Sequence, residues 1–184
     1  MTRVGLIAVA AAAMTMAAAH AAPWKHYTEA TLGYTIAYPA NWSIDTGYVT
    51  SNLGPGHDIH GVAFTIPASM AAGTNLGSDS KLSVESLPGS NCTPSQFVDP
   101  ADDVHTVHAN GLSYIAATSE DAGAGNRYET DLFVVNDTSP CIAVRYFIHS
   151  SNIANYDPGT VTQFDHARLI GWFDRIRATL KLGK

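Results

Sequence analysis

The chain has 184 residues, of which 46% are hydrophobic and 14% charged, and this composition excludes an intrinsically disordered protein. Its 15 Gly and 9 Pro follow no period, which excludes collagen-like and coiled-coil architectures. Ten Lys and Arg against sixteen Asp and Glu give a net charge of -6, the wrong sign for a protein that tracks a phosphate backbone, so no nucleic-acid partner is expected.

The N-terminus reads as an export signal. Arg3 supplies the positive start, and an apolar run from Val4 to Ala19 follows. Ala19-His20-Ala21 is an A-x-A cleavage site, so residues 1–21 form the cleaved signal peptide and 22–184 a single α+β domain. The run is shorter than the ~20 residues of a membrane-spanning helix, and no later stretch approaches that length, so no transmembrane anchor is expected after cleavage. The expected location is the periplasm, or the medium. Cys92 and Cys141 are the only cysteines. An even pair in an oxidising compartment reads as one structural disulfide.

Gly33 to Pro39 reads as a short strand with Tyr34, Ile36 and Tyr38 on one face, and extended structure resumes at Trp42-Ser43-Ile44. Residues 49 to 61 look like a loop around Gly54-Pro55-Gly56, and Val62 to Ile66 is a strand stopped by Pro67. Ala68 to Ser80 is a long loop with at most one helical turn. Lys81 to Leu87 alternates as a strand with Leu82 and Val84 inward. A short helix is expected near Pro94 to Phe97.

Strands follow at Val104–Ala109 and Leu112–Thr118, joined by Asn110-Gly111, the strongest short hairpin signal. After a turn at Asp121–Gly125 come Asn126–Val135 and Cys141–His149. Tyr128, Thr130, Leu132 and Val134 on one strand, and Ile142, Val144, Tyr146 and Ile148 on the next, are read as the core faces of antiparallel neighbours. Phe164, Leu169, Phe173, Ile176 and Leu180 have helical spacing and predict a C-terminal helix over Val161–Lys181 with Thr162 as its N-cap. The expected fold is an antiparallel β-sheet of six to seven strands flanked by helices, with a long C-terminal helix.

The stretch Leu32-Gly33-Tyr34-Thr35-Ile36-Ala37-Tyr38-Pro39-Ala40-Asn41-Trp42 resembles the opening of PsbP-like domains. Phe173-Asp174-x-Ile176 followed by Thr179-Leu180-Lys181-Leu182 resembles their close. That resemblance implies an α/β/α sandwich around an antiparallel sheet. A nearer resemblance is to uncharacterised exported proteins of proteobacteria. It rests on Gly73-Thr74-Asn75-Leu76, Leu82-Ser83-Val84-Glu85, Cys92, Gly125-Asn126-Arg127-Tyr128-Glu129, Cys141 to Tyr146 and Asn155-Tyr156-x-Pro158-Gly159. It implies export and fold, and carries no catalytic residue across. The wider fold is used mostly for binding and accessory roles in larger assemblies.

Chemistry-bearing candidates are few. His57, Asp58 and His60 share one loop and could offer a metal two imidazoles and a carboxylate, but a third strong ligand and orienting partners would have to come from elsewhere. His105 and His108 lie three apart on a strand and point to opposite faces. Arg127, Glu129 and Asp131 alternate along one strand, and Arg145 is read on the matching face of the next. These four form either a solvated charge network or, if covered, a buried polar network able to hold a ligand. There is no G-x-S-x-G or S-x-x-K serine motif, and Gly123-Ala124-Gly125 lacks the third glycine of a dinucleotide loop, so no catalytic residue and no cofactor is assigned. The expected function is that of a non-catalytic accessory protein whose partner is another periplasmic or envelope protein. A small-ligand or metal-binding module is the second reading, and a hydrolase of unrecognised type the third.

Overall fold

The computed structural model describes residues 23–183, so the signal peptide expected at 1–21 lies outside the described residues. Among the described residues no helix is long and apolar enough to cross a membrane. Ten strands and two α-helices follow in chain order among the described residues. They are β1 (Trp24–Glu29), β2 (Tyr34–Pro39), β3 (Ser43–Thr50), β4 (Ile59–Thr65), α1 (Ala68–Ala71), β5 (Lys81–Leu87), β6 (Asp102–Ala109), β7 (Leu112–Gly123), β8 (Asn126–Val135), β9 (Cys141–Ser151), α2 (His166–Arg177) and β10 (Lys181–Leu182). Seven strands form one antiparallel sheet in the order β3-β4-β5-β9-β8-β7-β6, and β1-β2-β10 form a small second sheet.

Local chemistry sets the turns. Asn110 and Gly111 both have positive φ (50° and 77°), as a two-residue hairpin between twisted strands requires. Ala124 and Gly125 do the same at 50° and 79°. The turn expected over 121–125 is therefore only these two residues, because Ala122 and Gly123 stay in register with Arg127 and Asn126. The loop expected at 49–61 shrinks likewise, since β3 runs to Thr50 and β4 begins at Ile59. Gly61 permits the pairing of β4 with β5 on its other side, since a Cβ there would run into the Val84 carbonyl oxygen.

The expected helix over Val161–Lys181 is corrected at both ends, to His166–Arg177. Before it, Thr162 is tied across the chain, with its carbonyl accepting the Asn75 N–H at 3.0 Å. Phe164 gives its N–H to the Asn75 Oδ1 at 2.9 Å. Asp165, and not Thr162, is the N-cap, its Oδ1 accepting the Arg168 N–H at 2.9 Å. After the helix, the Thr179 hydroxyl bonds to both the N–H and the carbonyl of Ala37, and Lys181–Leu182 pair with β2. Phe164 and Leu180 are buried as their spacing suggests, but from outside the helix.

The larger correction concerns faces. Leu132 is opposite Arg145, and Phe133 is opposite Val144. The apolar rows expected to meet in one core therefore lie on opposite faces of the sheet. Ile142, Val144, Tyr146 and Ile148 pack beneath α2 and β2 with Trp42, Phe173 and Ile176. Leu132 and Val134 pack on the other side with Ile59, Phe97, Val98 and Cys141. That second face is covered by the segment following β5, which contains only a single 3-10 turn, Pro94–Gln96. The sheet thus carries a regular helix on one face and irregular chain on the other. Cys92 and Cys141 form a disulfide, Cα atoms 5.4 Å apart across 49 positions, which ties the covering segment to the start of β9.

Candidate binding site

The cross-strand register of β7 and β8 places Glu120 directly opposite Glu129. Two carboxylates so placed repel unless cations separate them. Arg127 does this from the same face of β8, with Nη2 2.9 Å from Glu120 Oε2 and Nε 3.3 Å from Glu129 Oε1. The other Glu129 oxygen meets His166 Nε2 at 3.0 Å, from the first residue of α2. One residue pair further along, Asp131 lies opposite Tyr146. Burial pushes its carboxyl above the usual carboxylate range, Glu129 and Asp174 push it further, and His166 and Arg177 oppose the rise.

Beside this network the turn end of the β7–β8 hairpin and the end of β9 wall a cleft of about 890 Å³. Arg127, Glu120 and Asp121 stand on one side, and the amides of Asn75, Asn126, Asn152 and Gln163 with Ser150 and Ser151 supply the remaining polar side chains. Asn75 is 4% exposed and fixes the floor. Its Nδ2 donates to the Ser151 carbonyl at 2.7 Å while its Oδ1 accepts the Phe164 N–H. The Asn126 side-chain oxygen accepts the Ser151 hydroxyl at 3.1 Å and lies 3.1 Å from His149 Nε2. His149 Nδ1 is in turn 2.8 Å from Asp79 Oδ1, and the ring stacks on Tyr128 with centroids 4.8 Å apart. Gly77 makes room for this ring, since a Cβ there would lie 2.7 Å from His149 Nδ1. The cleft is therefore lined by preorganised donors and acceptors, with Arg127 and Glu120 paired and the Asp121 carboxylate held, among the described residues, only by the Ala122 N–H.

Arg145 does not belong to this group. It shares the Leu132 side of the sheet, not that of Arg127, Glu129 and Asp131, and it is 1% exposed. Its Nε and Nη2 donate to the two Glu85 oxygens at 2.8 and 2.9 Å, and Nη2 also donates to the Phe97 carbonyl at 2.8 Å. Ser83 adds a hydroxyl to Glu85 at 2.7 Å. Burial tends to discharge the Arg145 guanidinium, but the adjacent Glu85 carboxylate outweighs it and holds the group above its ordinary value. A second arginine, Arg177, the last residue of α2, reaches onto the sheet with Nε 2.6 Å from the Tyr146 hydroxyl, Nη2 2.9 Å from Asp174 Oδ1, and its guanidinium 4.0 Å from the Phe133 ring centroid.

His57, Asp58 and His60 remain apart from both networks. His60 is on β4, opposite Val49 and Ser86, while Asp58 accepts the Ser51 hydroxyl at 2.6 Å. Among the described residues no group of three His, Cys, Asp or Glu side chains is placed to hold a metal ion. His105 and His108 both lie on the edge strand β6. Sequence reasoning missed Glu85, His149, His166 and Asp174. Only Glu85 had a readable signal: an arginine inside the apolar run Cys141 to Ile148 requires a buried counterion, and β5 offers one.

No family model matches the chain, and no curated protein matches it. A solved structure from Bacteroides thetaiotaomicron is similar in fold, with a TM-score of 0.50 and 14% identity over 87% of this chain and 48% of that one. The chain thus spans about half the length of that protein. Also matched is the solution structure of cyanobacterial PsbP (CyanoP) from Synechocystis, at 13% identity over 91% of this chain and 97% of that one, with a TM-score of 0.34.

Proposed function

We propose that this chain is an exported accessory protein that acts by binding, without catalysis, and that the cleft beside Arg127 is where it recognises its partner in the envelope. The observation carrying this reading is the state of the cleft's polar groups. Arg127 is engaged by Glu120 and Glu129, and Glu129 by His166. The Ser151 hydroxyl donates to the side-chain oxygen of Asn126, the same atom that His149 Nε2 meets, so the amide stands between the serine and the imidazole. Fixed amides, hydroxyls and the Arg127 ion pairs suit recognition of a polar surface without activating a bond. The export reading rests on residues 1–21 and agrees with the Cys92–Cys141 disulfide. Kinship with PsbP-like domains rests on the stretch Leu32 to Trp42, whose Tyr34, Ile36, Tyr38 and Trp42 are all buried under α2.

The test is affinity purification of the tagged protein from the native envelope, beside Arg127→Ala. The reading expects one stoichiometric partner that the substitution releases. An unchanged partner with Arg127→Ala would overturn the assignment to this cleft. A small polar ligand is the second reading, favoured by the cleft's volume, which falls in the range of small-molecule sites. A melting shift with small polar metabolites, and no partner, would select it.

A further inference from the structure

Next to the polar cleft, and sharing Gln163 with it, α2 and the α1 segment enclose a second groove of about 840 Å³ with different chemistry. Its floor is apolar: Trp42, Leu76, Phe164 and Leu169 are 2–7% exposed, and half-buried Met70 and Trp172 form its sides. Its rim is cationic. Arg168 and Arg175 both line it, and neither makes an ion pair among the described residues. Asp165 is the sole acidic residue of the lining, and its carboxylate is held by the first turn of α2.

Arg168, Trp172 and Arg175 are spaced four and three apart, so they form one stripe along the helix. The two arginines are seven residues apart, about 10 Å along the axis. The Arg175 guanidinium is already ordered, 4.3 Å from the Trp172 ring centroid and 5.7 Å from that of Trp24. On a chain of net charge -6, this is two unpaired cations flanking an aromatic ring above an apolar floor.

We propose that this groove docks an acidic segment of a partner protein: one apolar side chain entering between Trp42, Met70 and Trp172, with carboxylates on both sides meeting Arg168 and Arg175. About three residues of extended chain cover the distance between the two cations. The segment would bind by apolar burial at its centre and charge at its ends, so affinity would fall as salt rises. This goes beyond the function proposed above, because the groove adjoins the polar cleft only at Gln163 and has its own ligand chemistry, so the protein could hold two partners side by side.

The experiment titrates the intact mature protein, followed by the indole N–H signals of its tryptophans, with three synthetic peptides. One has a leucine between two glutamates. The second has lysines in place of the glutamates, and the third serine in place of the leucine. The first is expected to shift the Trp172 and Trp42 signals, and the other two to bind at least tenfold more weakly. Arg168→Gln with Arg175→Gln should weaken the first peptide tenfold or more, and Arg175→Lys should recover part of the loss. Both positions are exposed, so unchanged melting curves would certify the fold of these variants. Equal binding of the lysine peptide, no indole shift at millimolar peptide, or full binding by the double variant would each overturn the proposal. Arg127→Ala should leave the titration unchanged, which separates this surface from the polar cleft.

Discussion

Arg145→Met is the substitution in which the structure commits itself most. The Arg145 and Glu85 side chains are 1% and 0% exposed, so neither charge is solvated. The methionine keeps much of the apolar stem and removes three charge-assisted hydrogen bonds, two to Glu85 and one to the Phe97 carbonyl. Glu85 would keep only the Ser83 hydroxyl. Breaking one side of a buried pair costs ~3–5 kcal/mol, most of it the burden of the orphaned charge. A domain of this size has a total stability of ~5–15 kcal/mol, so the variant should be barely folded in the lower part of that range. Removing both charges, Glu85→Leu with Arg145→Met, should recover most of the loss, because apolar replacement of a whole buried pair is close to neutral. Urea melts of the three proteins at neutral pH, followed by tryptophan fluorescence, measure this directly. A loss below ~1 kcal/mol for Arg145→Met would refute the reasoning, as would a double variant no better than the single.

Phe173 is fully buried, with ring centroids 5.7 Å from Trp42 and 5.1 Å from Tyr146, so Phe173→Ala should cost ~3–5 kcal/mol in the same melts. Asp131 has a raised carboxyl pKa in the fold. Its relative stabilisation is therefore complete below the ordinary carboxylate value of about 4, and is lost as pH rises through the raised value. Asp131→Asn should accordingly raise the urea midpoint at neutral pH, with the gain shrinking on acidification. A lowered midpoint at neutral pH would contradict that sign. Removing the disulfide with Cys92→Ser and Cys141→Ser should cost up to ~4 kcal/mol, and alkylation of the unreduced native protein should find no free thiol.

What the sequence made legible was periodicity and punctuation. Asn110-Gly111 marked its hairpin, Pro67 ended its strand, and the short helical turns after Pro67 and at Pro94 lie where they were expected. Alternation failed to assign faces to β8 and β9 for a physical reason. It sorts residues into core and solvent only when one face is wet, and here α2 covers one side and the Cys92–Ala101 segment the other. Arg145 was accordingly read with Arg127, though it faces the opposite way. The C-terminal helix was drawn too long because Phe164 and Leu180 continue its apolar spacing. Asn75 and Ala37, distant in sequence, claim the flanking chain instead. The cleft was half legible: Arg127 and Glu129 were visible as an alternating row, but their partners Glu120 and His166 come from β7 and α2, and only the fold brings them together.

Site-specific photo-cross-linking in the native envelope tests the central claim most directly. Probes at Asp121 and Asn152 report on the rim of the polar cleft, and probes at His57 and Val104, both exposed and away from it, serve as controls. The account predicts one discrete adduct from the two cleft positions, lost when Arg127→Ala is combined with the probe, and none from the controls. Adducts from the control positions alone, or adducts at the cleft that survive Arg127→Ala, would contradict it.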